Sequence, residues 1–433
     1  MAPRWQISPS PSPGSGFLVW PVAFLALLPL FIELGTLRSN LLAFALATPP
    51  ELGQAIHISL LLVPLLIAVV FVRNPTVLPV AFNHLPRMVS GLFAIALAFA
   101  TTALFVAAMT SPIISIDRHL QMIAVVLPLF IAPKLRLDSH SFMRAVMVAS
   151  NVGLLVILAY LFRNGGLQAL AGVDRLQINK AFPQILVYLP FLAVIGLGAS
   201  LVASSQWLPL RLITAVISMS FLAVNYSRTT IALAALAAII AGAVPAPGRR
   251  SVVGNRAGRV LGGVVVAAIV FVLASASVGG DRFRESASAG RSEILSETLS
   301  RLARSPILGE GFVPRSETNL KPWDTHNQFL EMFMRSGLLG GACAIAAIFL
   351  LAKALISNRP SVPGPVSDLH RLATVVFGAA LAGGMANVYL TQLFPGVFVW
   401  LLVGLALSNR RSTRRPQLAG QHLSAARSGV AQR

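Results

Sequence analysis

Three residues have side chains of the types that hold a phosphate or move a proton, and each stands in a short polar stretch of an apolar chain. They are Arg228 in VNYSRTT, Arg291 in AGRSEIL and His326 in PWDTHNQFLEMF. The forked donors of an arginine match phosphoryl oxygens, and a neutral imidazole accepts a proton from a hydroxyl. Asn225, Ser227 and Thr229 give Arg228 neighbouring hydrogen-bond partners and a helix cap. The plainer reading of Arg228 is an arginine that snorkels to phospholipid headgroups. Arg291, with Arg282 and Arg284 nearby, falls in the first turn of an expected helix. The helix dipole disfavours a cation there unless a bound anion compensates, and the plainer reading is a solvated charge. Asp324 or Thr325 is expected to cap a helix that starts around His326, and a histidine in that first turn is held in its neutral form. Its plainer reading is a structural or interfacial histidine.

Two of the three residues lie in one interval, 279–336, the only long polar stretch in the chain, with eight of its fourteen carboxylates and eight balancing Arg and Lys. Within it, Ile294, Leu295, Thr298, Leu299 and Leu302 recur at helical spacing, and Pro306 and Gly309 close the pattern. This predicts an amphipathic helix at a membrane–water boundary. A second helix is expected to follow His326, with Phe329, Leu330, Phe333 and Met334 on its apolar side and Gly337 leading into the next apolar run.

The remaining elements must hold these residues in place, and composition says what they are. Of 433 residues, 56% are hydrophobic and only 11% charged, against about a quarter charged in a soluble domain. Apolar runs at 17–32, 55–72, 88–109, 115–133, 141–162, 183–203, 206–224, 229–244, 259–278, 337–356, 370–387 and 393–408 read as transmembrane helices. The fold class expected is therefore all-α and polytopic, with about twelve spans. The organisation is a flexible tail (1–16), nine spans (17–278), the polar interval (279–336), three spans (337–408) and a basic tail (409–433). The stretch 40–47 is too short to span and is placed as re-entrant or interfacial. The run 17–32 lacks a small-residue cleavage pattern and is read as a retained first helix.

Charge sets the orientation. Connectors 73–87, 134–140, 245–258 and 357–369 and the tail after Ser408 are basic, and twelve spans put them all on one side, the cytoplasmic one. Both termini are then cytoplasmic, and 279–336 faces the periplasm or exterior. Connector 163–182 dissents, because it is outward and carries Arg163, Arg175 and Lys180 against Asp174 alone; an anion-binding surface is the reading adopted for it. The net charge of +20 is spread over connectors, which positive-inside bias and anionic lipid explain without nucleic acid. A lone Cys343 in an apolar run argues against disulfides and thiolate metal clusters. The sequence has no P-loop, dinucleotide fingerprint, or zinc or calcium spacing, and no cofactor or metal is expected. Charges are also missing from the span centres, which weakens a transport reading. Basic groups facing outward beside a base, close to the bilayer, suit a lipid-linked phosphate or diphosphate, whose departure needs charge stabilisation.

Three segments, NYSRTTIALAALAAII, GRSEILSETLSRLARSPILGEGF and THNQFLEMFMRSGLLGG, resemble the bacterial O-antigen ligase and polysaccharide polymerase family of membrane proteins. The likeness lies in a Gly-Arg, a short helix and a Pro-x-x-Gly-x-Gly turn, then a His-Asn pair, an aromatic and leucine-rich helix and Gly-Leu-Leu-Gly. It covers roughly the second half of the chain. The resemblance implies a membrane glycosyltransferase (GT-C-like) fold and a metal-independent, inverting transfer on the outer face of the bacterial inner membrane. The donor it implies is an undecaprenyl-diphosphate-linked glycan, and the acceptor is lipid A-core or another lipid-linked glycan. By position, Arg228 and Arg291 would engage the donor diphosphate and His326 would activate or orient the acceptor hydroxyl. Arg282, Arg284, Asn327, Arg163, Arg175 and Lys180 are the expected substrate-binding residues around them. Ligation to lipid A-core is the preferred expectation and polymerisation of repeat units the close alternative. A transporter or flippase for a lipid-linked anion, which needs no His326, and a structural membrane partner are the rivals from other classes.

Overall fold

The computed structural model describes residues 85–110, 116–135, 137–170, 190–203, 207–224, 228–244, 253–276, 291–311 and 327–408. The described residues form eleven α-helices: α1 (Arg87–Thr110), α2 (Ile116–Leu135), α3 (Ser139–Leu170), α4 (Phe191–Val202), α5 (Leu208–Val224), α6 (Arg228–Ala243), α7 (Val253–Ala276), α8 (Arg291–Arg304), α9 (Gln328–Ser357), α10 (Pro365–Gly383) and α11 (Leu393–Ser408).

Small residues let several helices approach closely, the way apolar helices associate where water provides no drive. The α6–α7 pair closes over Gly263, where a Cβ would lie 2.5 Å from the Ala238 carbonyl oxygen. The α2–α11 pair closes over Gly404, where it would lie 2.7 Å from the Leu129 carbonyl oxygen. At the centre, α10 packs on α3, α4, α6, α9 and α11, and α4 is buried along its whole length apart from Leu201. Among the described residues, three helices are long and apolar enough to cross a membrane: Arg87–Met109, Ser139–Ala159 and Gln328–Ser357. Leucines, valines and other large apolar residues stay exposed on α1 (Phe105, Met109), α5 (Leu212, Val216) and α7 (Leu261, Val272). In water such faces would be unfavourable, and against lipid they are the expected surface. The protein is a polytopic α-helical membrane protein.

Most expected spans appear within a few residues of their helices, with some differences. The third helix continues past 162 to Leu170, so Arg163 belongs to a helix and not to the connector. Residues 328–336, expected as the end of the polar interval, are already the first turns of the 30-residue α9. Spans 17–32 and 55–72, the stretch 40–47 and the tail 409–433 lie outside the described residues.

The helix ends gather at two opposite rims. At one rim, Arg371 near the start of α10 donates to the carbonyls of Val202 and Ala241, at the ends of α4 and α6 (3.2 and 3.4 Å). Arg211 donates to the Ser200 carbonyl (2.7 Å), and the Arg144 guanidinium stacks 4.9 Å from the Trp207 ring. Cations at helix C-termini satisfy carbonyls that have no partner within their own helix. Asp138 caps α3 at this rim, accepting from the Ser141 amide at 2.8 Å. Partial burial pushes the Asp138 carboxyl up, but hydrogen bonds from Ser141 and His140 outweigh it and hold it below the usual carboxylate value. The other rim collects the starts of α6 and α9 and the α10–α11 connector.

Candidate functional site

The two glycine-rich segments that the sequence singles out lock onto each other. After α8, the turn of residues 305–311 docks against a kink in α9 at Gly337, whose φ is 68° and ψ −177°. That conformation is open essentially to glycine alone, and a Cβ here would sit 1.9 Å from the Ile307 carbonyl oxygen. The kink frees backbone groups of α9, and the turn takes them up. The Leu338 amide donates to the Pro306 carbonyl (2.8 Å), and the Glu310 amide to the Met334 carbonyl (2.8 Å). Gly309, at φ 75°, returns its amide to the Ser305 carbonyl as a helix C-terminal turn. Two ion pairs brace the joint. Arg301 pairs with Glu310, and the buried Arg335 pairs with Glu331 (3.0 Å) while donating to the Gly311 carbonyl (3.2 Å). Among the described side chains of α8, Thr298 is buried, and Leu295 and Leu299 of the expected apolar face are 45% and 50% exposed, open to a membrane surface.

The first turn of α9 is tied to the α10–α11 connector, residues 384–392. Asn327 is the cap of α9, its side-chain oxygen accepting from the amides of Phe329 (3.0 Å) and Leu330 (3.2 Å). The cap is thus Asn327 and not Asp324 or Thr325, and the helix begins at Gln328, beyond His326. His326 therefore stands before the cap and outside the first turn, where the dipole was expected to hold it neutral. The Asn327 amide nitrogen also approaches the Met385 carbonyl (3.4 Å). Next to it, the fully buried Gln328 donates its backbone amide to the Gly384 carbonyl (2.8 Å) and accepts from the Leu390 amide (3.1 Å). The Leu390 carbonyl in turn receives the Trp400 indole N–H (2.9 Å).

The same connector reaches the start of α6. Tyr389 is fully buried, its ring 5.0 Å from that of Phe191. A Cβ on Gly383 would meet both the Tyr389 ring (2.6 Å) and Leu233 of α6 (2.8 Å). Burial pushes the Tyr389 phenol up to about 12, partly opposed by its interactions with Asn387 and with Thr230 in the first turn of α6.

An apolar slot of about 330 Å³ runs between α1, α2, α9 and α11. Phe93, Phe130, Met332 and Trp400 line it, Leu390 and Thr391 of the connector stand at one end, and Arg335 and Ser336 supply polar groups.

The expected site residues are distributed as follows. Arg228 is the first residue of α6 and Arg291 the first of α8. His326 immediately precedes the described residues that begin with Asn327, and Arg282, Arg284, Arg175 and Lys180 also lie outside them. Arg163 is in α3. Tyr389 of the connector packs beside Leu233 in the second turn of α6, and Met385 accepts from Asn327, the cap of α9. Among the described residues, α8 is tied to α9 through its C-terminal turn, not through the end that bears Arg291. Sequence reasoning missed Gln328, Asn387 and Tyr389. The available signal was a short polar group, NVYLTQ, in a connector too brief to leave the membrane surface.

Residues 213–345 match the family model described as O-antigen ligase (Wzy_C). The match takes in the positions of Arg228, Arg282, Arg284, Arg291, His326 and Asn327, and leaves out Arg163, Arg175, Lys180 and the connector 384–392. It covers under a third of the chain and supports a ligase- or polymerase-type enzymatic function at the family level. No curated protein matches the chain.

Proposed function

We propose that this protein is an inverting glycosyltransferase of the bacterial inner membrane that moves a glycan from an undecaprenyl-diphosphate donor to a sugar hydroxyl, with lipid A-core as the preferred acceptor. One observation supports this reading above the others. A single connector, residues 384–392, packs beside Leu233 in the second turn of α6, holds the cap of α9 and lines an apolar slot. A lipid tail lying in the slot puts its diphosphate at that rim, beside the positions of Arg228 and His326. Arg228 and Arg291 neutralise the diphosphate, with Arg282, Arg284, Asn327, Arg163, Arg175 and Lys180 contributing to the binding surface. The acceptor oxygen attacks the anomeric carbon as the bond from that carbon to the diphosphate oxygen breaks. His326 takes or orients the hydroxyl proton, and the arginines stabilise the departing charge. The reaction uses no metal.

In this reading the chain crosses the membrane twelve times in a GT-C-like arrangement, with both termini cytoplasmic and the rim of the α10–α11 connector periplasmic. Polymerisation of lipid-linked repeat units is the second reading, since the same family match supports either acceptor. The test is transfer by purified His326→Ala, Arg228→Ala and Arg291→Ala proteins that insert and fold normally. Loss of glycosidic bond formation in all three is expected. Full activity of His326→Ala would remove its assigned role, and full activity of Arg228→Ala together with Arg291→Ala would remove the diphosphate site.

A further inference from the structure

The residues proposed to act on donor and acceptor, Arg228 and His326, stand at or two positions before the starts of helices about a hundred residues apart in sequence, at Arg228 and Gln328. Something must fix the separation of those two helix starts, because misplacing a reacting group by about 1 Å can lower a rate on the order of 10²-fold. We propose that Gln328 and Tyr389 are positioning residues that hold the start of α9 against the start of α6 through the α10–α11 connector. This rests on the reading above, which assigns Arg228 and His326 to the reaction.

Neither side chain is placed to touch a substrate, because both are fully buried. Gln328 fastens one side of the connector. Its backbone amide holds the Gly384 carbonyl and its side-chain oxygen holds the Leu390 amide, while Trp400 holds the Leu390 carbonyl. Both backbone groups of Leu390 are therefore committed, which leaves little freedom for that segment to shift. The fit is close as well as bonded, since a Cβ on Gly384 would fall 2.0 Å from the Gln328 amide nitrogen. Tyr389 fastens the other side. Its ring fills the space between Phe191, Gly383 and Leu233 in the second turn of α6. Asn327, the residue after His326, reaches the same connector at Met385. The connector is thus one short piece of chain with a catalytic helix start fastened on either side.

The test is steady-state transfer from an undecaprenyl-diphosphate glycan, normalised to folded protein by size exclusion. Tyr389→Leu removes the ring that packs beside Leu233, and Gln328→Met keeps the length and removes the bond to Leu390. Each is expected to lower kcat at least about tenfold with KM within about twofold, the pattern of a misplaced reacting group. Leu233→Ala should match Tyr389→Leu, and the double variant should lose less than the sum of the two, because both remove the same contact. A merely structural role would reduce the amount of folded protein and leave kcat per folded molecule unchanged, which would overturn the proposal. An independent readout uses Cys343→Ala protein with spin labels at positions 229 and 330. A single narrow distance is expected in otherwise wild-type protein, and a broad one would also overturn the proposal, whether or not the variants fold. Retained activity in Arg228→Ala and His326→Ala would instead refute the functional reading on which it rests.

Discussion

Replacing Gly337 with alanine tests the joint between the two glycine-rich segments. The residue sits at φ 68° and ψ −177°, a region that costs a non-glycine residue about 1–3 kcal/mol. Its new methyl group would also fall 1.9 Å from the Ile307 carbonyl oxygen and 2.7 Å from the Leu308 nitrogen. Both neighbours are backbone, so relief requires the whole turn to move away. That movement breaks the Leu338–Pro306 and Glu310–Met334 hydrogen bonds, each worth about 1 kcal/mol net. The total is about 3–5 kcal/mol, a large part of the roughly 5–15 kcal/mol that holds a native protein together. At about 2–4 °C per kcal/mol, the apparent midpoint of heat-induced loss of the monodisperse peak in detergent should fall on the order of 10 °C. Gly262→Ala in α7 is the control, because nothing lies within 4 Å of a Cβ there, and helix propensity favours alanine by up to about 1 kcal/mol. A Gly337→Ala protein that melts with wild type would show that the kink and the turn do not depend on each other as described.

Removing one partner of the buried pair, Arg335→Met, leaves Glu331 charged with its side chain 13% exposed and should destabilise by about 3–5 kcal/mol. Adding Glu331→Gln should recover part of that loss in the same melting assay. Asp138 has a depressed carboxyl, so its contribution is present above its unfolded pKa near 3.9 and disappears as pH falls through the lower folded value. Between about pH 5 and 3, Asp138→Asn should therefore show a flatter fall in melting temperature than wild type, and parallel curves would contradict the capping role. Trp400→Phe keeps the ring but removes the donor to the Leu390 carbonyl, leaving a buried acceptor unpaired at a cost of about 1–3 kcal/mol. Equal melting temperatures would refute it.

The sequence made the apolar elements legible because each is a local pattern. The runs now seen as α1, α5, α6 and α11 need only composition and a break at either end, and α8 needs only its helical period. What failed was decided by contacts distant in sequence. Gly337 breaks the helix where the next span was expected to begin, but the turn at 306–310 that satisfies the backbone groups exposed there left no local pattern. The capping oxygen fell to Asn327 rather than Thr325, a choice among neighbouring residues that propensity does not resolve and that the Met385 contact helps to fix. The polar group around Tyr389 marked the connector but not its role, and Gln328 gave no local signal, since both roles arise from partners in the connector, α4, α6 and α11.

The most direct measurement is a reconstituted reaction: purified protein, an undecaprenyl-diphosphate-linked glycan, and either lipid A-core or further donor, with and without EDTA. A new glycosidic bond to lipid A-core, formed equally well with EDTA and lost in His326→Ala, is the expected result. Extension of the donor glycan instead would assign the polymerase. Movement of the intact lipid-linked glycan across the bilayer, with no glycosidic bond made to either acceptor, would contradict glycosyl transfer altogether.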